Sequence, residues 1–174
     1  MTEMRTVETQ RLRLEPQIAT HADEMFIILS DPAIYEYENA PPSSLEWLRT
    51  RYEKLTTRRS ADGCEQWLNW VVRLHEGAPM GFVQATIFSD HRAGIAYEFA
   101  SEYWGHGFAS EAVGAMNAEL VSQYEVTSFS AVLKGANQRS MRLLKRLGFS
   151  LATPVRQKEI RIEPDEVLMI RNGS

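Results

Sequence analysis

Gly105-His106-Gly107-Phe108-Ala109 has the makings of a diphosphate grip. Two glycines and an alanine keep bulk away, so backbone N–H groups can converge on phosphate oxygens. A helix expected from about Ser110 aims the positive end of its dipole at the same spot. His106 offers one more donor, charged only if its pKa permits. Taken alone, the same residues also make a plain tight turn between a strand and a helix. The chain has no G-x-x-x-x-G-K-[ST] and no G-x-G-x-x-G at its opening, which argues against a P-loop and a dinucleotide fold. Further candidates lie nearby in the sequence. Glu98 sits on the strand that runs into the glycine loop. Asn137 and Ser140, three residues apart, share a face at a helix start, where Asn137 also reads as an N-cap. Lys134, Arg139 and Arg142 suit phosphates, or are solvated helix charges. Tyr35, Glu36, Tyr37 and Glu38 combine acids and rings, which suits a cationic amine, or are an ordinary exposed loop. Trp67 and Trp70 read as core or pocket wall.

Composition narrows the chemistry. The chain has 174 residues, 44% of them apolar and 24% charged, as expected of one globular domain over residues 1–174. The net charge of -4 leaves no broad footprint for nucleic acid. Cys64 is alone, so an intrachain disulfide and a cysteine-based zinc site are excluded. His21, His75, His91 and His106 have no metal-ligand spacing, so no metal site is expected. Residues 1–10 are polar and no apolar run approaches membrane-spanning length, so a cytoplasmic protein away from membranes is expected.

The elements that must position these residues follow from periodicity. Arg11 to Leu14 alternates as a strand that stops at Pro16. Thr20 with Asp23 marks a helix start, with Met25, Phe26 and Leu29 inward, ended by Asp31-Pro32. Ser43 with Glu46 forms a capping-box pattern for a second helix that buries Leu45, Leu48, Tyr52 and Leu55. Trp70, Val72 and Leu74 alternate on a strand. Glu76 to Pro79 is a turn, and Met80 to Phe88 completes a hairpin. Ile95 to Ala100 puts Ile95, Tyr97 and Phe99 on one face and Ala96, Glu98 and Ala100 on the other. A helix from Ser110 to Tyr124, a strand from Ser128 to Leu133 and a helix from Asn137 to Leu147, closed by Gly148, come next. The tail reads as two more strands around Glu163-Pro164-Asp165. The result is an α/β chain of the α+β mixed-sheet kind, antiparallel early, with one parallel crossover from the Ile95 strand to the Ser128 strand.

With these residues in place, the chain resembles the GNAT acetyltransferase superfamily. Trp104-Gly105-His106-Gly107-Phe108-Ala109 matches that family's pyrophosphate loop at Gly107 and Ala109, with Trp104 where Gln or Arg is usual. Tyr103 to Ala112 is similar throughout to the Y-W-G-x-G-[YF]-A-[ST]-E-A loop of one branch, which resembles the ribosomal-protein N-terminal alanine acetyltransferases. Asn137 to Ser140 with Leu147-Gly148-Phe149, and Thr9 to Leu14, are similar to two further segments of that branch.

The resemblance implies a GNAT-like acyl-CoA N-acyltransferase fold, with splayed central parallel strands at Ile95–Ala100 and Ser128–Leu133. It implies acetyl-CoA as acyl donor, a small-molecule or peptide amine as acceptor, and a homodimer as the common assembly. Cofactor contacts would fall on Phe99, Ala100, Trp104, Gly105, His106, Gly107, Phe108, Ala109, Ser110, Asn137 and Ser140. Ser140 would stand near the thioester sulfur and protonate the thiolate, a task a water could also do. Glu98 stands where the branch often has an aromatic residue. As a carboxylate it would serve as general base, since an α-amine is largely protonated at neutral pH, or bind the acceptor. Tyr35 and Tyr37 would line the acceptor pocket. A non-catalytic acyl-CoA-binding or sensing module on the same fold is the alternative.

Overall fold

The computed structural model describes residues 2–37 and 39–173; Glu38 of the acid-and-ring loop lies outside the described residues. Eight strands form one sheet: β1 (Val7–Glu8), β2 (Leu12–Pro16), β3 (Glu65–Leu74), β4 (Pro79–Phe88), β5 (Arg92–Phe99), β6 (Ser128–Lys134), β7 (Ser150–Leu151) and β8 (Glu166–Asn172). Their spatial order is β1-β2-β3-β4-β5-β6-β8-β7. Every neighbouring pair is antiparallel except β5 and β6. Five helices complete the fold: α1 (Ala22–Ile28), α2 (Leu45–Leu55), α3 (Phe108–Tyr124), α4 (Gln138–Arg146) and α5 (Pro154–Glu159). This mixed α/β architecture is the one expected.

Alternation explains the two apolar layers. On β3, Trp70 and Val72 are fully buried against α3, with Met116 and Leu120, while Val71 is fully buried against α1 and α2, with Met25 and Leu48. The long middle strands are thus covered on both faces, as a sheet sandwiched between helices requires. Gly81 is needed where β4 meets the end of β5. A Cβ there would stand 2.2 Å from the carbonyl oxygen of Glu98 and 2.8 Å from Cα of Phe99.

Local punctuation departs from expectation in four places. Thr20 lies inside a 3₁₀ turn, Ala19–His21, that leads directly into α1, and no side chain caps that helix. Ser44, not Ser43, caps α2: its backbone is extended and its Oγ accepts from Trp47 N at 3.0 Å. The helix α3 begins at Phe108, so the second half of the glycine loop is already its first turn. The tail holds α5 between its strands, because Thr153 caps the Arg156 N–H and Pro154 occupies the first helical position, where its missing N–H costs nothing.

Candidate active site

The parallel pair that defines the site is short. β5 pairs with β4 through Phe99, but with β6 only from Arg92 to Gly94. Beyond Gly94 the two strands part, and β6 continues on β8 alone. The gap opens a cleft of about 990 Å³ that reaches both faces of the sheet. Tyr97 and Glu98, on opposite faces of β5, therefore both line it.

One side of the cleft is built by the glycine loop. Gly105 and Gly107 have φ of 78° and 77°, and Gly107 caps α3. A side chain at Gly107 would carry the left-handed strain and bring its Cβ within 3.4 Å of Arg11 Nη2. No acceptor among the described residues takes the N–H groups of Gly105 through Ser110. A helix start leaves such donors open, and here the left-handed glycines extend the set backwards into the loop.

The loop is tied down from outside. The Arg11 Nη1 donates to the carbonyl of His106 at 2.9 Å, and its guanidinium lies over the Phe108 ring, 4.5 Å from the centroid. Glu111, in the first turn of α3, anchors Arg11: it accepts from Arg11 Nε at 2.7 Å, from Arg11 N at 2.9 Å and from the Thr9 hydroxyl at 2.7 Å. Burial pushes the Glu111 carboxyl up, but these hydrogen bonds and the Arg11 charge together hold it below the usual carboxylate range. Thr9 and Arg11 thus brace the loop and the start of α3, a role the strand pattern of the segment did not reveal. Trp104 donates its indole N–H to the Phe99 carbonyl at 2.8 Å and carries the Arg139 guanidinium 3.4 Å above its ring.

The opposing wall is α4. Asn137 caps it, accepting from Ser140 N at 3.1 Å. Arg139, Arg142 and Arg146 line the cleft, and Arg146 reaches the Ser110 hydroxyl at 3.2 Å. Ser140 Oγ and Tyr97 OH are hydrogen bonded at 2.5 Å. Burial pushes the Tyr97 phenol up to about 12, against smaller downward pulls from Ser140, Arg139 and Arg146, so it stays protonated at neutral pH. Tyr97 and Arg146 line the cleft but were not among the expected site residues. Period-two alternation placed Tyr97 correctly on its strand, but only the packing of α4 brings Ser140 to it.

The other side belongs to α1, α2 and the segment between them. Asn39 Nδ2 donates to Glu98 Oε1 at 3.2 Å. Tyr35 and Tyr37 line the cleft, with Tyr52 and Arg51 from α2. The Tyr35 hydroxyl donates to the Leu29 carbonyl, and burial, helped by the Glu98 and Asp31 charges, pushes its phenol up to about 12. Tyr35 therefore presents a ring rather than a free hydroxyl. Asp31 accepts from the Ser101 N–H at 2.6 Å, which ties this segment to the end of β5.

Two expected cofactor residues are not brought to the cleft. Ala100 is buried with α1 and α2 and gives its N–H to Met80 O, and His106 is exposed beside Phe108. Phe99 lines the cleft, but its carbonyl is taken by Trp104. Lys134 is paired with Asp165 at 2.9 Å and Glu166 at 3.5 Å, away from the cleft lining. Glu36 and Cys64 are exposed and also lie outside it. Trp70 is core and borders the cleft, whereas Trp67 borders a smaller adjoining groove. Among the described residues no His, Cys, Asp and Glu cluster could hold a metal, and no helix is long and apolar enough to cross a membrane.

Comparison with known proteins agrees with this fold. Residues 11–150 match the family model described as acetyltransferase (GNAT) domain. The chain is 25% identical over 155 residues to the uncharacterized N-acetyltransferase YoaA of Bacillus subtilis, covering 87% of this chain and 86% of that protein. Its fold is similar to that of RimL, a ribosomal L7/L12 α-N-protein acetyltransferase solved in complex with coenzyme A (TM-score 0.81, 16% identity, 97% of this chain and 98% of that one). It is also similar to the ribosomal-protein-S5-alanine acetyltransferase of Vibrio fischeri (TM-score 0.78, 18% identity, 98% of each chain). The family match covers both the glycine loop and the helix that faces it, and the chain belongs to the acetyltransferase (GNAT) domain family as an N-acetyltransferase.

Proposed function

We propose that this chain transfers the acetyl group of acetyl-CoA directly to a primary amine, on a protein N-terminus or a small molecule, with no covalent acyl-enzyme. The observation that carries the reading is the run of backbone N–H groups from Gly105 to Ser110, which have no acceptor among the described residues, in a loop that, His106 apart, lines the same cleft as Arg139, Arg142 and Arg146 of α4. That set fits a diphosphate, since each N–H contributes a donor without bulk and the helix dipole adds to all of them. Arg139, Arg142 and Arg146 would meet phosphate charge at the mouth. The edge of β5 beyond Gly94, which has no strand partner on the β6 side, would hydrogen-bond an extended amide-bearing arm.

Acetyl-CoA supplies an activated acyl thioester, and the residues around the splay supply the proton chemistry. Glu98, held by Asn39, would take a proton from the attacking amine directly or through a water. As the nitrogen–carbon bond forms and the carbon–sulfur bond breaks, the thiolate would collect a proton from the Tyr97–Ser140 pair. Burial raises the Tyr97 phenol to about 12, which keeps it protonated at pH 7 but makes it a weaker acid than a free phenol, so it would hydrogen-bond the departing thiolate and pass the proton only as negative charge builds beside it. Backbone N–H groups of β5 would steady the carbonyl oxygen as it gains charge. Cys64 is exposed outside the cleft, which supports transfer without a cysteine intermediate.

Isothermal titration of the purified protein with CoA is the first test. Binding is the expected result, and an absence of binding would end the reading. Release of free thiol from acetyl-CoA, followed across a panel of amines and peptide N-termini, then separates catalysis from mere acyl-CoA sensing.

A further inference from the structure

The cleft does not stop at Glu98. On the α1 and α2 side it adjoins a second groove of about 250 Å³ between α2 and the surface of β3 and β4. Arg51, Leu55, Asn69 and Gln84 border both spaces, so the two lie side by side. The groove adds Lys54, Trp67 and Thr86.

Its chemistry is specific. Asn69 and Gln84 sit directly opposite each other in the β3–β4 register, and their side-chain amides line the floor side by side. Neither amide group has a hydrogen-bond partner among the described residues, although Asn69 is only 7% exposed. Such a pair offers two amide NH₂ groups and two carbonyl acceptors, the complement of a peptide backbone. Above the floor stand two cations. Arg51 lies 5.8 Å from the Trp47 ring and Lys54 5.9 Å from the Trp67 ring, and neither has an acidic partner within ion-pair distance among the described residues. Glu65, the acid beside them, is turned onto the Trp67 indole N–H at 2.9 Å.

The register sets a length. Phe82 of β4 pairs with Glu98, and the groove floor follows at Gln84 to Thr86. Two to four strand residues at ~3.4 Å each place it roughly 7–14 Å from the Glu98 position. The α-amine and α-carboxylate of one amino acid are too close together to bridge that span. An extended peptide covers it in about two to four residues.

We propose that the adjoining groove is a specificity subsite for a peptide acceptor, in which Asn69 and Gln84 hold the backbone and Arg51 and Lys54 take a carboxylate side chain one to three residues after the acetylated one. This rests on the reading that the amine meets Glu98, and it narrows the acceptor to acidic N-terminal segments.

The test separates binding from turnover. The tryptophan fluorescence of the CoA-saturated protein is titrated with Ala-Ala-Glu-Ala amide and with the Ala-Ala-Lys-Ala and Ala-Ala-Gln-Ala amides. The glutamate peptide should bind about fivefold tighter than the glutamine peptide and more strongly still against lysine, with a gap that shrinks as salt rises. The double variant R51E/K54E should reverse the order, and R51Q/K54Q should erase it. Both positions are exposed helix residues, so both variants should fold. Equal affinity for the three peptides, or a preference that survives R51E/K54E, would overturn the subsite. Thiol release with the same peptides tests the amine at Glu98 separately. Selective binding without release would leave the subsite standing and remove the catalytic assignment.

Discussion

The two sides of the cleft are built in different ways. The loop side is made mostly of neighbours in sequence: Gly105 to Ser110 supply the open N–H groups, and α4 supplies Arg139, Arg142 and Arg146. It is braced by short contacts, with Arg11 on His106 and Glu111, and Trp104 on Phe99. The α1 and α2 side is collected from across the chain, from Gln17, Tyr35, Asn39, Arg51, Asn69, Gln84 and Glu98. A diphosphate is the same in every acyl-CoA, so one backbone solution serves. An acceptor varies, and scattered side chains on α2 and the sheet can change one at a time without disturbing the loop. On the proposed function, the difference divides a generic grip on the loop side from individual selectivity on the α1 and α2 side.

The hardest blow to the loop side is Gly107→Trp. It places a large side chain at a left-handed φ and over the open N–H groups. Strain of about 1–2 kcal/mol together with several lost charge-assisted hydrogen bonds, each about 1.5–3 kcal/mol, should weaken CoA by roughly a thousandfold. Calorimetry checks it, and an unchanged affinity would mean the diphosphate site lies elsewhere. Next in size is Tyr97→Phe at the seam between the two sides. Losing a positioned acid should lower kcat by about a hundredfold while CoA affinity holds, and an intact kcat would transfer the proton role to Ser140 or a water. The same variant has a stability signature. The Tyr97 phenol is pushed from its ordinary value near 10 to about 12 by burial, so folding is favoured fully below pH 10 and loses this contribution as pH climbs towards 12. Tyr97→Phe should therefore lose less Tm between pH 9 and 11 than the parent, with Tyr35 still contributing.

The same contrast decides what could be read from the amino-acid order. The strand-loop-helix run through Gly107, the cap at Asn137 and the parallel crossover are local or periodic features, and each is found, with α3 starting two residues earlier than expected. The errors lie where two signals compete. The capping-box pattern of Ser43 with Glu46 points one residue too early, and only backbone direction chooses Ser44. The segment before β8 read as strand, although Thr153-Pro154 is a helix-start signature that would have shown α5. Lys134 looked available for phosphate, but Asp165 and Glu166, about thirty residues on, claim it. The Tyr97–Ser140 pair joins residues 43 apart in sequence across two elements, and no spacing rule predicts it. The Asn69–Gln84 pair needs the β3–β4 register, which a hairpin turn alone leaves open by a residue.

A third variant probes the acceptor side. Glu98→Gln keeps the shape and the bond from Asn39 but removes the proton acceptor. A loss of about tenfold in kcat/KM is expected near pH 7, where most α-amines carry a proton. The gap should narrow towards pH 9.5 as the free amine becomes abundant. A loss that is the same at every pH would make Glu98 a binding charge rather than a base.

The smallest effect belongs to the brace behind the loop. Arg11 touches none of the open N–H groups; it holds the His106 carbonyl and packs on Phe108 from outside the cleft. Arg11→Ala removes that hold and strips Glu111 of its ion pair, leaving the Thr9 hydroxyl and the backbone N–H at position 11. The pair is half-exposed, with Arg11 nearer solvent than Glu111, so its electrostatic share is about 1 kcal/mol, and the lost stacking adds about as much. Tm should fall by a few degrees and CoA should bind about threefold to fivefold more weakly, with kcat at saturating substrate near the parent value. Lysine at the same position should restore part of the charge but not the fork that spans His106 and Glu111. If Arg11→Ala instead weakened acceptor binding and left CoA untouched, the division between a braced donor side and a variable acceptor side would be wrong, because a residue behind the glycine loop would then be setting the other wall.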